Sequence, residues 1–182
     1  MMKIMKKIRI HNKNFEVYLT AVQIRNRLTE LALQVQEDLQ GKDVVFLAIL
    51  NGAFVFAADL VRLITMDCQI TFVKVASYRG VNSTGQVQEL IGLNENLAGK
   101  CVVILEDIID SGLSMDKVVE MIRHQNPAEI KIVTLLFKPD AFRGASRPDY
   151  TGFSIPNRFV IGYGLDYNGL GRNLPQIYIL TD

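Results

Sequence analysis

The sequence predicts an α/β fold, a parallel twisted sheet flanked by helices, on three observations. Short apolar runs alternate with longer amphipathic stretches along the whole chain. Runs such as VVFLAIL (Val44 to Leu50) and VVIL (Val102 to Leu105) have no polar alternation, the pattern of strands covered on both faces. Turn-forming or acidic residues follow these runs directly, Asn51-Gly52 in one case and Glu106-Asp107 in the other. In parallel sheets the carboxyl ends of the strands are where ligands bind.

Residues 20–40 form the first expected element, an amphipathic helix. Val22, Ile24, Leu28, Leu31, Leu33 and Val35 lie on one side, with Arg25, Arg27, Glu30, Glu37 and Asp38 elsewhere. Val44 to Leu50 is a buried strand, and AFVFAADLVRLI after it a helix with mixed apolar faces. CQITFVKVASY, from Cys68, is another strand. Val81 to Gln88 is polar, with Asn82, Ser83, Thr84, Gly85 and Gln86 able to cover little apolar surface. GKCVVILED is the next strand, and MDKVVEMIRH an amphipathic helix reaching His124 in its last turn, where partial positive charge is favourable. EIKIVTLLFK is a strand, and FSIPNRFVIGYGLDY supplies the last core strand with its exit loop. The loops after Leu50, Leu105 and Ile161 are expected to converge.

With 182 residues, the chain suits one domain, residues 1–182, burying roughly 70% of its unfolded surface. A net charge of +1 gives no sign of a polyanion partner, so no nucleic acid is expected. No apolar stretch of signal-peptide length follows the basic start MMKIMKKIRI, and no run is long enough to span a membrane. Cys68 and Cys101 can make no disulfide framework, which fits reduced thiols in a cytoplasmic protein. There is no Gly-x-x-x-x-Gly-Lys-Ser/Thr string, and GYGLDY, from Gly162, lacks the third glycine of a dinucleotide fingerprint. His11 carries no visible role.

The densest chemistry lies in VVILEDIIDSGLSM, from Val102 to Met115. A buried strand delivers Glu106 and Asp107, then Asp110, then Ser111, Gly112, Leu113 and Ser114 before a helix. Small hydroxyl residues at a strand-to-helix turn leave amides free to surround an anion. The carboxylates can accept from hydroxyls or help hold a divalent cation. A helix cap explains one acid and one serine. It does not explain two acids placed directly after a buried strand, where charge is costly.

This order of apolar strand, acidic pair, spaced third acid and Ser-Gly-x-Ser turn resembles the 5-phosphoribosyl-1-pyrophosphate (PRPP) signature of the type I phosphoribosyltransferases. Within that family it is similar to the hypoxanthine-guanine members. The resemblance implies the family's fold, with a small hood built from the terminal segments. It implies a purine-salvage transferase that moves the phosphoribosyl group from PRPP to a 6-oxopurine, hypoxanthine or guanine. The products are the nucleoside monophosphate (IMP or GMP) and pyrophosphate. The partners are these small molecules with Mg²⁺, and the assembly a homodimer or homotetramer.

Carried over residue by residue, Asp110 is the base for the purine N7 proton, and Glu106 and Asp107 hold the ribose hydroxyls. Ser111, Gly112, Leu113 and Ser114 anchor the 5′-phosphate. ILNGAFVFAADL, from Ile49, resembles the pyrophosphate loop, through Leu50, Asn51 and Gly52. Asn51 stands where the family often has lysine, and its peptide bond to Leu50 is often cis in the family. Ser77 and Tyr78, with the polar stretch to Leu90, resemble a lid that excludes water. RPDYTGFSIPNRFVIGYGLDY, from Arg147, resembles the purine-binding segment. There Arg147 meets the 6-oxo group, Phe159 stacks on the base and Val160 faces its edge by its backbone. Asp166 joins Glu106 and Asp107 near the metal, and Arg172 contacts pyrophosphate. If Arg147 does not make the 6-oxo contact, Lys138 is the next candidate. An alternative from another class is a non-catalytic regulator that senses PRPP or a nucleotide on the same fold. Asp110 and the Tyr78 lid favour catalysis over it.

Overall fold

The computed structural model describes residues 7–78 and 87–181, with backbone alone at 76–78 and 87–91. It opens on a hairpin, β1 (Lys7–Ile10) and β2 (Lys13–Leu19), turning at His11, whose φ is 50°. The resemblance implies a hood from the terminal segments, but the sequence places no strand here. KIRI alternates, but four residues are too few for periodicity to decide.

Helix α1 (Ala21–Leu39) starts at a capping box: Thr20 Oγ1 accepts from Gln23 N, and Gln23 Oε1 accepts from Thr20 N. Its buried stripe is Ile24, Leu28, Leu31, Ala32, Val35 and Leu39. Val22 and Leu33, expected on that side, are 61% and 51% exposed. The helix has more apolar residues than one stripe can hold, and Ala32 and Leu39 take the periodic places. β3 (Val44–Leu50) leads into α2 (Phe54–Val61), then β4 (Gln69–Tyr78) and β5 (Val87–Ile91). β6 (Cys101–Ile109), α3 (Leu113–Arg123) and β7 (Glu129–Phe137) follow. The last strands are β8 (Tyr150–Ser154), β9 (Val160–Ile161) and β10 (Ile177–Leu180).

The main sheet has the order β5-β4-β3-β6-β7-β8. Five strands are parallel and β5 adds an antiparallel edge to β4. The parallel centre is why the apolar runs are unbroken. Alternate residues of one strand feed opposite cores. Val44, Phe46 and Ala48 pack with α1 and α2, while Val45, Leu47 and Ile49 pack with α3.

A second, antiparallel sheet, β1-β2-β10-β9, forms the hood from both ends of the chain. It corrects one expectation. The last core strand is Tyr150–Ser154, and Val160–Ile161 belongs to the hood, paired with Tyr178 and Ile179. Pro156 offers no donor and breaks the strand between them. Val160, Tyr163, Leu165, Ile177 and Ile179 nonetheless pack into the α1–α2 side core, so hood and main sheet share a core. Among the described residues no helix is long and apolar enough to cross a membrane.

Candidate active site

Strand β6 carries the first acids. It continues to Ile109, so Glu106 and Asp107 lie inside the strand rather than after it. Asp107 is 7% exposed, and its Oδ1 accepts from Ile108 N at 3.0 Å. The backbone of Gly52 presses on this carboxylate: a Cβ at Gly52 would fall 1.8 Å from Asp107 Oδ2. Only glycine lets the loop after β3 approach so closely. Burial first, then the charge of Asp107, pushes Glu106 well above the usual carboxyl range. Burial also raises Asp107, although its bond to Glu106, the Ile108 amide and the Arg172 charge act the other way. The acidic pair is thus held in a form that a proton, a cation or donated hydroxyls would relieve.

The turn after β6 is where the sequence places an anion site. Gly112 is the N-cap of α3 at φ 81°, with no side chain of its own to cap the helix, and Leu113 N meets Ser111 Oγ only at 3.5 Å, so the first turn has amides to offer a ligand. The chain beyond β7 folds back on this turn. Arg143 N and Gly144 N both donate to Ser111 O at 2.9 Å. Asp116 Oδ1 accepts from Ser146 N at 2.6 Å and from Ala145 N at 3.1 Å. A cavity of about 130 Å³ opens on the turn, lined by Glu106, Ile108, Asp110, Ser111, Gly112 and Ser114 among others.

A second cavity, of about 180 Å³, lies between the sheet and the hood. Asp107, Ile108, Asp110 and Lys138 line it from the sheet, and Phe159, Val160, Leu165, Asp166 and Arg172 from the other side. Phe159 is 43% exposed and steadied edge-on by Tyr167, with centroids 5.8 Å apart, leaving ring surface available for stacking. Arg172 Nη2 meets Asp166 Oδ1 at 2.6 Å, and its Nη1 donates to Gly164 O at 2.6 Å.

Asp110 and Ile108 border both cavities. Asp110 Oδ2 accepts from Lys138 Nζ at 2.7 Å, and Lys138 is only 6% exposed. Arg147, by contrast, lies outside the cavity lining: it is exposed, its guanidinium 5.0 Å above the Phe137 ring. Two cations line the second cavity: Arg172, engaged by Asp166 and Gly164 O, and Lys138, directly after β7. The signal that marked the acids, a charge at the end of an apolar strand, marks Lys138 as well.

The Leu50–Asn51 peptide is cis. Asn51 is exposed beside the Gly52–Asp107 contact, with no cation of its own. Ser77 and Tyr78 end β4 in backbone register with Gln88 and Val87. Of the stretch to Leu90 expected to form a lid, residues 79–86 lie outside the described residues. Among the described residues no three His, Cys, Asp or Glu side chains gather as a metal-holding group, so Glu106, Asp107 and Asp166 are not brought to one point. Mg²⁺ does not require that: it takes one or two carboxylates with substrate phosphate oxygens and water. Asp107 and Asp166 lie on opposite walls of the second cavity, while Glu106 lines the first.

A family model described as a phosphoribosyl transferase domain matches residues 17–168. A hypoxanthine-guanine phosphoribosyltransferase of Staphylococcus aureus (strain Mu50 / ATCC 700699) is 40% identical over 169 residues, covering 92% of this chain and 94% of that protein. The crystal structure of a hypoxanthine-guanine phosphoribosyltransferase from Bacillus anthracis is similar at a TM-score of 0.82 and 37% identity, over 91% of this chain and 96% of the other. A mutant hypoxanthine phosphoribosyltransferase from Trypanosoma cruzi, in a ternary substrates complex, is similar at a TM-score of 0.83 and 32% identity, over 97% and 96%.

Proposed function

This chain belongs to the phosphoribosyl transferase family, and from that premise we propose that it is a purine-salvage transferase joining PRPP to a 6-oxopurine. Hypoxanthine gives IMP and guanine gives GMP, with pyrophosphate released. The observation that carries the reading is Asp110 on the border of two cavities, one walled by an anion turn and the other by an exposed aromatic ring and a buried lysine.

The 5′-phosphate sits on the amides and hydroxyls of residues 111–114. Fixing that remote group orients the sugar for reaction. Glu106 and Asp107 accept from the ribose hydroxyls, and their charge favours the cation that grows at C1′ as pyrophosphate departs. The base stacks on Phe159 with its edge at Val160, and Lys138 donates to the 6-oxo group. Asp110 takes the N7 proton while the new glycosidic bond forms at N9. Pyrophosphate leaves past the Gly52 loop and Arg172. Glu106, Asp107 and Asp166 would hold Mg²⁺ together with the substrate phosphates, and the ion would supply charge neutralisation of the leaving group. Lys138 replaces Arg147 as the 6-oxo donor in this reading, because Lys138 faces the base-side cavity and Arg147 covers Phe137.

Residues 1–182 act as one domain in this reading, which the core shared by hood and sheet supports. Free Cys68 and Cys101 fit a cytoplasmic setting. Ile70 and Phe72, 38% and 40% exposed on β4, are apolar surface that a homodimer or homotetramer could cover. The test is PRPP-dependent turnover of hypoxanthine, guanine, xanthine and adenine with Mg²⁺ present. Conversion of 6-oxopurines in preference to adenine is expected. Tight PRPP binding without consumption of any base would favour a non-catalytic regulator.

A further inference from the structure

Tyr163 has φ 50°, between Gly162 at 95° and Gly164 at 102°. A bulky residue is uncommon in that region and must be held there by its surroundings. The ring is buried among core residues of the main sheet and helices. The hydroxyl donates to Asp59 Oδ2 at 2.6 Å. Asp59 lies on α2, the helix that begins two residues after Gly52.

The residue next to Tyr163 shows what this bond secures. Gly164 lies against the pyrophosphate loop so closely that a Cβ there would fall 2.1 Å from Gly52 O. On its other side, Gly164 N donates to Arg172 O at 3.0 Å, and Gly164 O accepts from Arg172 Nη1. Gly164 is therefore a backbone spacer between the loop after β3 and the arginine of the hood. Neither Tyr163 nor Asp59 lines either cavity.

We infer that the Tyr163–Asp59 hydrogen bond is a positioning device, tying the hood loop to α2 so that Gly52 and Arg172 are held at the spacing a pyrophosphate group needs. The inference rests on the transferase reading. The bond spans the two bodies the pyrophosphate must touch together, and it anchors both at the spacer. Its loss lets the hood loop lift from Gly52 without disturbing Phe159, Val160 or Lys138.

The test is steady-state kinetics in both directions, with pyrophosphate binding measured by calorimetry. Tyr163→Phe keeps the ring and removes only the hydroxyl. It is expected to raise KM for PRPP and for pyrophosphate by about three- to tenfold, less than the full worth of a hydrogen bond to a charged acceptor because the bond acts on the ligand only through Gly164. KM for hypoxanthine should stay within about twofold. Asp59→Ala should match it, the double variant should be no worse than either single one, and Asp59→Asn, which keeps an acceptor oxygen, should recover at least half of the loss. Unchanged pyrophosphate affinity in Tyr163→Phe overturns the inference, as does an equal rise in the hypoxanthine KM, whatever the Tm. A wild-type chain that fails to turn over PRPP would instead remove the transferase reading, and the pyrophosphate calorimetry would still decide the role of Tyr163.

Discussion

Lys138 Nζ lies 2.7 Å from Asp110 Oδ2, joining the end of β7 to the turn after β6. The two partners differ in setting: the lysine side chain is 8% exposed and the aspartate 52%. A buried ammonium needs a partner, and Asp110 supplies one. Lys138 also has three donors, so it can hold Asp110 and still donate into the cavity. In the proposed reading the pair orients the base and presents a cation to the purine from one contact.

Asp110→Asn should lower kcat for hypoxanthine by about 10²–10⁴-fold, the usual contribution of a positioned general base. The amide oxygen still accepts from Lys138, so the fold around the turn should persist. PRPP affinity, measured by calorimetry, should change far less than the rate. An unchanged kcat would remove Asp110 from the proton transfer.

Lys138 and Arg147 should separate cleanly. Lys138→Ala removes the proposed 6-oxo donor, and kcat/KM for hypoxanthine should fall by about 1–3 kcal/mol, or roughly 5–150-fold. The gap to adenine should narrow, because adenine presents an amino donor where hypoxanthine presents an acceptor. Arg147→Ala should leave efficiency and base preference nearly intact and cost about 0.5–1 kcal/mol of stability, the loss of an exposed cation–π contact. Base preference that follows Arg147 rather than Lys138 would reverse the assignment.

The difference between these two cations shows where sequence reasoning stops. VVFLAIL and VVIL revealed the parallel centre because burial on both faces leaves an unbroken run, a purely local signal. The acids of β6 and the Ser-Gly-x-Ser turn were legible for the same reason, being adjacent in sequence. Lys138 directly follows the apolar run of β7, and Arg147 lies in the polar segment that leads to β8. What sets them apart is the return of residues 140–147 onto Ser111 and Asp116, which no local pattern reports. Gly52 against Asp107 and Gly164 against Gly52 are likewise contacts of backbone with distant chain. Val160 was misplaced in the core sheet because a two-residue strand pairs by topology rather than by its own composition. Val22 and Leu33 were misplaced because α1 carries more apolar side chains than its stripe needs.

The acidic pair predicts a pH dependence of stability. Glu106 and Asp107 both have folded pKa values above their ordinary ones, with burial the leading cause in each case. The folded chain therefore binds more protons than the unfolded one in the window between the ordinary carboxyl range and the raised values, and stability falls as pH rises through that window. Below about pH 4, where both states are protonated, the pair exerts no such penalty. Above the raised values the penalty is complete. Replacing the pair by Glu106→Gln and Asp107→Asn removes the ionisation and keeps the shape. The double variant should therefore melt at a higher temperature than wild type at neutral pH, with the difference shrinking toward pH 4. It should at the same time bind Mg·PRPP more weakly, because the oxygens that destabilise the free protein are those proposed to receive the ribose and the cation. Thermal melts from pH 4 to 8, paired with calorimetry of Mg·PRPP, measure both effects. A double variant less stable than wild type across that range, or one that binds PRPP as well as wild type, would refute the account of the pair as ligand-relieved charge.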